Sequence, residues 1–231
     1  MDQRKKYFLI ALAILVLLIT SVVVTRRMRQ ASVVEAGQVV SPQMQNPVTN
    51  VKSEKQKIKG SLDAPITIVE FSDFECPSCK KGQEPLKDIY EKFPNLVQIH
   101  FKQFPLPMHR YSMDAAKSAE CAAKQGKFWD YQDLLFKEQE VWSKDPDAKI
   151  IFQAFANTFG LDTQKFQQCL SDPTVVQTIE ADRQTGESMQ VGSTPTFFIN
   201  GERMVGSKQL EDDGANIIRK KLEALVANKK P

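Results

Sequence analysis

The chain has 231 residues, 42% of them hydrophobic and 26% charged, which is enough apolar material for one sizeable domain. A net charge of +3 with scattered basic residues recommends no nucleic-acid partner. Four cysteines are too few for a disulfide scaffold, yet they suffice for one redox pair and one further bond.

Residues 1–29 differ in kind from the rest. Tyr7 to Thr25 is an uncharged run of nineteen residues, long enough to span a bilayer as one helix. It exceeds the apolar core of a cleaved signal peptide, and Arg26, Arg27 and Arg29 follow it where a small-residue cleavage site would stand. It therefore reads as a retained signal anchor. Arg4, Lys5 and Lys6 balance the three arginines, so the positive-inside rule leaves the orientation open. Residues 30–57 hold no aromatic side chain and read as a flexible linker, which leaves 58–231 as the globular domain.

Within that domain, Ala64 to Phe74 is short, β-branched and apolar up to Glu70, as a strand buried on both faces would be. A helix is expected from Pro77 to Phe93, with Pro77 in its first turn and Pro85 bending its middle. Leu96 to Phe104 alternates as a second strand. Helical periodicity then extends from about Ser112 to Met189, broken at Gly126, Pro146, Gly160 and Pro173, and Trp129, Tyr131, Phe136 and Trp142 read as its core. "TPTFFINGERMVG" is a β-hairpin turning at Asn200-Gly201, where both turn positions need positive φ. A last helix from Lys208 to about Ala227 sets Leu210, Ile217, Ile218, Leu222 and Leu225 on one face.

Cys76 and Cys79 fall at the strand-to-helix turn of the β-α-β unit. Alone, C-x-x-C also fits half a zinc site or two inert thiols, but zinc commonly takes two close pairs, and Cys121 and Cys169 are single. As a redox pair the motif has a mechanism. The positive end of the helix dipole favours a Cys76 thiolate, with Lys80 one turn above helping and Glu75 opposing. Cys79, one turn in, is the shielded, resolving sulfur. Glu70 is either a strand-end carboxylate reaching solvent or a partly buried acid that relays a proton to Cys79. Asp73 reads as a turn residue. Pro195 either opens a strand or, with a cis bond, turns the Thr194 backbone toward the dithiol to pair with an extended peptide.

With C-P-S-C after a buried strand, then a helical block, then "GSTPTFFING", the sequence resembles the DsbA-like thiol:disulfide oxidoreductases of the thioredoxin superfamily. The likeness covers about Lys57 to Ala227 and extends to "FKQFPLPMH". It implies an α/β thioredoxin fold with an inserted α-helical domain at about 110–190. It implies catalytic roles for Cys76, Cys79, Pro195 and Glu70, with Pro195 in a cis-proline loop, and substrate contacts at Thr194, Pro77 and Ser78. No cofactor or metal is implied. The implied partners are exported protein thiols and disulfides, with a membrane redox partner for recycling. That places the domain on the extracytoplasmic side of the cytoplasmic membrane. One departure matters: Ser78 stands where strongly oxidising members carry histidine, so a less acidic Cys76 and a milder oxidant are expected. A reductase or isomerase kept reduced by its partner is the alternative, and a redox-inactive peptide-binding or chaperone module on this fold is another.

Cys169 shares a helical face with Phe166 and Leu170. Cys121 lies off the apolar stripe Ala115, Ala119, Ala122 and Ala123, among Lys117, Lys124 and Gln125. A structural disulfide between Cys121 and Cys169 would explain that offset; two free thiols are the other reading. His109 reads as a solvent-facing loop residue.

Overall fold

The computed structural model describes residues 51–227. The anchor expected in 1–29 and the linker up to residue 50 lie outside them. Among the described residues, no helix is long and apolar enough to cross a membrane.

A short helix, α1 (Val51–Gln56), comes first. Strands β1 (Ile58–Lys59), β2 (Ile66–Ser72), β3 (Val97–Gln103), β4 (Thr196–Ile199) and β5 (Glu202–Val205) form one mixed sheet in the order β1-β3-β2-β4-β5. β2 and β3 are parallel and joined by α2 (Pro77–Lys92), while every other pairing is antiparallel. The β4–β5 hairpin turns at Asn200 and Gly201, with φ of 45° and 84°. Between β3 and β4 come α3 (Ser112–Lys124), α4 (Phe128–Lys137), α5 (Gln139–Trp142), α6 (Ala148–Thr158), α7 (Thr163–Leu170) and α8 (Pro173–Ser188). The chain closes with α9 (Gly206–Ala227).

Side chains alternate across the sheet. Ile66 and Ile68 of β2, with Phe197 and Ile199 of β4, pack against Leu86, Ile89, Leu210 and Ile218 of α2 and α9. Phe71 and Phe198 belong to the opposite face with Phe104 and Val191. Glu70 shares the parity of Ile66 and Ile68, so the same alternation that builds the core delivers a carboxylate beneath α2. Phe128, Tyr131, Trp142, Phe152 and Phe166 of the helical block form a core continuous with Phe74 and Phe101 at the sheet.

Several expectations are revised. Among the described residues the first element, α1, begins at Val51, upstream of the expected boundary at 58. Lys57, placed in the linker by its polar surroundings, is 1% exposed, with Glu54 at 3.1 Å, Glu120 at 3.0 Å and Asp182 at 2.8 Å. Trp129 is half-buried at the rim of the helical core, edge to face with Phe128, while Tyr131, Phe136 and Trp142 are fully enclosed. Leu225 is exposed. α3 is enclosed on nearly every side, so Cys121 is fully buried in spite of its polar sequence neighbours. Its sulfur is bonded to Cys169 on α7.

Candidate active site

β2 ends at Ser72, and a turn of three residues leads to Cys76, whose extended φ and ψ of −75° and 120° place it at the N-cap of α2. Pro77 occupies the first turn, where a missing N–H costs nothing. The Cys76 carbonyl accepts from the N–H groups of Cys79 and Lys80, at 3.1 and 3.2 Å. Cys76 keeps 6% exposure and Cys79 none; both are free thiols.

Opposite the pair stands the loop before β4. The Thr194–Pro195 peptide bond is cis, and the Cys76 thiol donates to the Thr194 carbonyl at 3.4 Å. Ser78 lies 3.5 Å from Ser207, hydroxyl to hydroxyl, while Pro77 is exposed. Gly82, on α2, lets that helix approach the loop: a Cβ there would stand 3.3 Å from the Phe197 ring and 3.5 Å from Pro195.

The two sulfurs are shifted in opposite directions. A hydrogen bond from the Cys79 thiol brings Cys76 down to about 5 against the opposing effect of burial, with the Thr194 side chain and the N–H groups of Cys79 and Ser78 contributing. The Thr194 hydroxyl has no other hydrogen-bond partner among the described residues. Burial, then the neighbouring Cys76, pushes Cys79 well above an ordinary thiol. The Lys80 ammonium turns to Glu140 at 3.1 Å and the Lys137 carbonyl, and Lys80 is not among the leading causes of the Cys76 shift. Glu75 accepts from the Tyr111 N–H at 2.6 Å and is likewise not among those leading causes.

Glu70 is fully buried, and burial lifts its carboxyl to about 7, with the Ser72 and Gln83 side chains pulling the other way. Gln83 donates to Glu70 Oε1 at 2.8 Å and to the Cys79 carbonyl at 3.3 Å. Asp73 is more than a turn residue. Its N–H faces Cys79 Sγ at 3.4 Å, and its carboxylate gathers the N–H groups of Glu75 and Leu106 and the His109 ring. His109 is thereby tied to the redox loop. From the helical block, Gln139 donates to the Phe74 and Cys76 carbonyls at 2.7 and 3.0 Å. Gln83 follows Cys79 by one helical turn, a spacing that marks it in the sequence; Gln139 carries no local mark.

The thioredoxin family profile matches residues 52–218. Among solved structures, alpha-DsbA1 of Wolbachia pipientis is 24% identical with a TM-score of 0.66, covering 75% of this chain and 94% of that one. BdbD of Bacillus subtilis is 26% identical with a TM-score of 0.60, covering 73% of this chain and 93% of that one. A curated relative, the Na(+)/H(+) antiporter NhaA 1 of Salinispora arenicola, is 33% identical over 163 residues, 70% of this chain. The chain spans about a quarter of the length of such relatives. The profile match runs across nearly the whole described domain, and the fold matches those of alpha-DsbA1 and BdbD: this chain belongs to the thioredoxin family.

Proposed function

We propose that the protein is a membrane-tethered thiol:disulfide oxidoreductase that donates disulfides to exported proteins. The observation that carries this reading is the Cys76 thiol, drawn down to about 5 while its neighbour is held well above the ordinary thiol range, facing the Thr194 carbonyl. In the oxidised protein a substrate thiolate attacks Cys76 Sγ, and Cys79 leaves with the bonding electron pair and takes a proton. A second substrate thiolate attacks the substrate sulfur of that mixed disulfide and expels Cys76 as its thiolate. The substrate dithiol is thereby oxidised and the enzyme pair reduced by two electrons. A stabilised leaving thiolate drives the reaction toward disulfide donation. The low Cys76 value, reached without a histidine at Ser78, favours a stronger oxidant than that position alone suggests.

The Tyr7–Thr25 run supports a membrane tether, and disulfide donation supports an extracytoplasmic domain. Similar domains occur as about a quarter of chains named as antiporters, which also favours a station at a membrane. A membrane redox partner would reoxidise the pair. Exposed Pro77 and part-exposed Ser78, with the Thr194 backbone, are the proposed substrate contacts.

Refolding of a reduced disulfide protein with stoichiometric oxidised enzyme tests this. Acceleration that disappears in Cys76→Ala is expected, and an unaccelerated reaction would refute it. Alkylation trapping in cells reads the direction: an oxidase is found mostly oxidised, whereas a mostly reduced pair would assign the protein to reduction or isomerisation.

A further inference from the structure

Cys79 is the sulfur that leaves when a thiolate attacks Cys76, and it is fully buried. A charge developing there falls on protein groups before it meets water. The Asp73 N–H points at Cys79 Sγ from 3.4 Å. Burial and then Cys76 oppose a thiolate on Cys79, and the Asp73 N–H is the first group that favours it, ahead of the Ser72 side chain. Asp73 is held more firmly than its turn requires. Its carbonyl accepts from the Cys76 N–H at 3.1 Å and its Oδ1 from the Glu75 N–H at 2.8 Å, which together close the turn. Oδ2 has no task in that turn, yet it accepts from the Leu106 N–H and from His109 Nδ1, both at 2.7 Å. These donors come from the loop between β3 and α3, where the His109 N–H donates to the Leu106 carbonyl and folds the loop around the same oxygen. A carboxylate oxygen only accepts, so His109 Nδ1 carries a hydrogen.

Resting on the redox reading above, we propose that the Asp73 N–H is the donor that receives the leaving Cys79 thiolate, and that His109, through the Asp73 carboxylate, is the positioning residue that keeps this donor aimed. A thiolate forms a bond to Cys76 Sγ, the Cys76–Cys79 bond breaks, and its electron pair stays on Cys79. The Asp73 N–H tightens its hydrogen bond to that anion and keeps its own hydrogen, and Cys79 afterwards takes a proton supplied by solvent. In the return step Cys79 attacks the mixed disulfide as a thiolate, so the same donor serves both directions. Before and after the exchange the Cys79 sulfur is neutral, as a disulfide or a thiol, and an N–H holds neutral sulfur weakly. The donor therefore lowers the barrier and leaves the two end states almost level. The Asp73 carboxylate is itself an anion near the departing sulfur, and its three N–H donors offset that charge. His109 keeps 21% side-chain exposure, so replacing it spares the core.

The test is the rate at which dithiothreitol reduces the oxidised full-length protein, with the equilibrium of the pair against glutathione measured alongside. His109→Phe keeps a ring and removes the donor. Its reduction should slow about tenfold while its glutathione equilibrium constant stays within about twofold of wild type. His109→Asn, whose side-chain amide supplies an N–H, should recover most of the rate. An undiminished rate in His109→Phe overturns the proposal, and so does an equilibrium constant that shifts as far as the rate. A loss of rate that His109→Asn does not recover also overturns it, because the ring would then matter only as bulk. Should thermal unfolding show that His109→Phe does not fold, His109→Ala is read in its place against the same outcomes. Failure of the redox reading shows separately, as wild-type protein that reacts with dithiothreitol but transfers no disulfide to a reduced protein.

Discussion

Glu70 and Cys76 lie within one turn of chain, and their surroundings move them in opposite directions, each with a consequence for stability. Burial raises Glu70 to about 7 from an ordinary 4.5, and no cysteine contributes to that shift. Because the folded value exceeds the unfolded one, the stability contributed by the neutral carboxyl is complete below about pH 4.5 and is lost as pH rises through 7. The loss approaches about 3 kcal/mol above pH 8. Glu70→Gln, measured by urea unfolding of the oxidised protein, should therefore gain about 3 kcal/mol relative to wild type between pH 4 and pH 8. A gain independent of pH would mean that Glu70 does not ionise in this range. Cys76 has the reverse sign: its folded value is depressed, so its contribution to the reduced protein is complete above the ordinary thiol value and disappears as pH falls through about 5.

Individual elements were legible in the sequence wherever the cause was local. The Asn200-Gly201 turn, the two buried strands and the breaks at Gly126, Gly160 and Pro173 all depend on residues a few positions apart. The cysteine pair at a helix start was legible for the same reason. Gln139 was not, because the carbonyls it holds lie 65 and 63 residues earlier, and neither was the tie between His109 and Asp73 across 36 residues. Helix packing is equally hidden. α8 crosses Phe71 and Phe104 at Gly186, where a Cβ would stand 2.7 Å from one ring and 2.9 Å from the other. Those rings meet edge to face and are buried, so they cannot yield. Gly186→Ala should cost about 1–3 kcal/mol despite its better helix propensity. Gly214→Ala meets the methyl ends of Ile89 and Leu210, which can move, and should be close to neutral. Thermal unfolding of both variants checks the contrast; equal effects would refute this account of the packing.

Two long-range devices hold the whole molecule. The Cys121–Cys169 bond closes a loop with a sequence separation of 48, worth about 4 kcal/mol in the chain-entropy account. Cys121→Ala/Cys169→Ala should lower unfolding stability by about that much and leave the Cys76–Cys79 chemistry in place. The second device binds the start of the domain to its middle. Burial alone would push Lys57 down, but Glu120, Asp182 and Glu54 overcome it, and Lys102 bridges Glu54 and Asp182 at 2.8 Å each. Removing one member of a buried charge cluster costs about 3–5 kcal/mol, so Lys57→Met should be among the most damaging single changes. Deleting residues through 57 should destabilise the domain where deletion through 50 does not, and comparing the two melting temperatures tests where the domain begins. The depressed Cys76 thiol also changes the molecule electrically. At neutral pH, reducing the pair leaves an anion on one sulfur and a proton on the other. The spent form thus carries one more negative charge than the loaded form. Isoelectric focusing can sort the two without any label, and a reoxidising partner with a basic docking face would attract the spent enzyme and let the recharged one go.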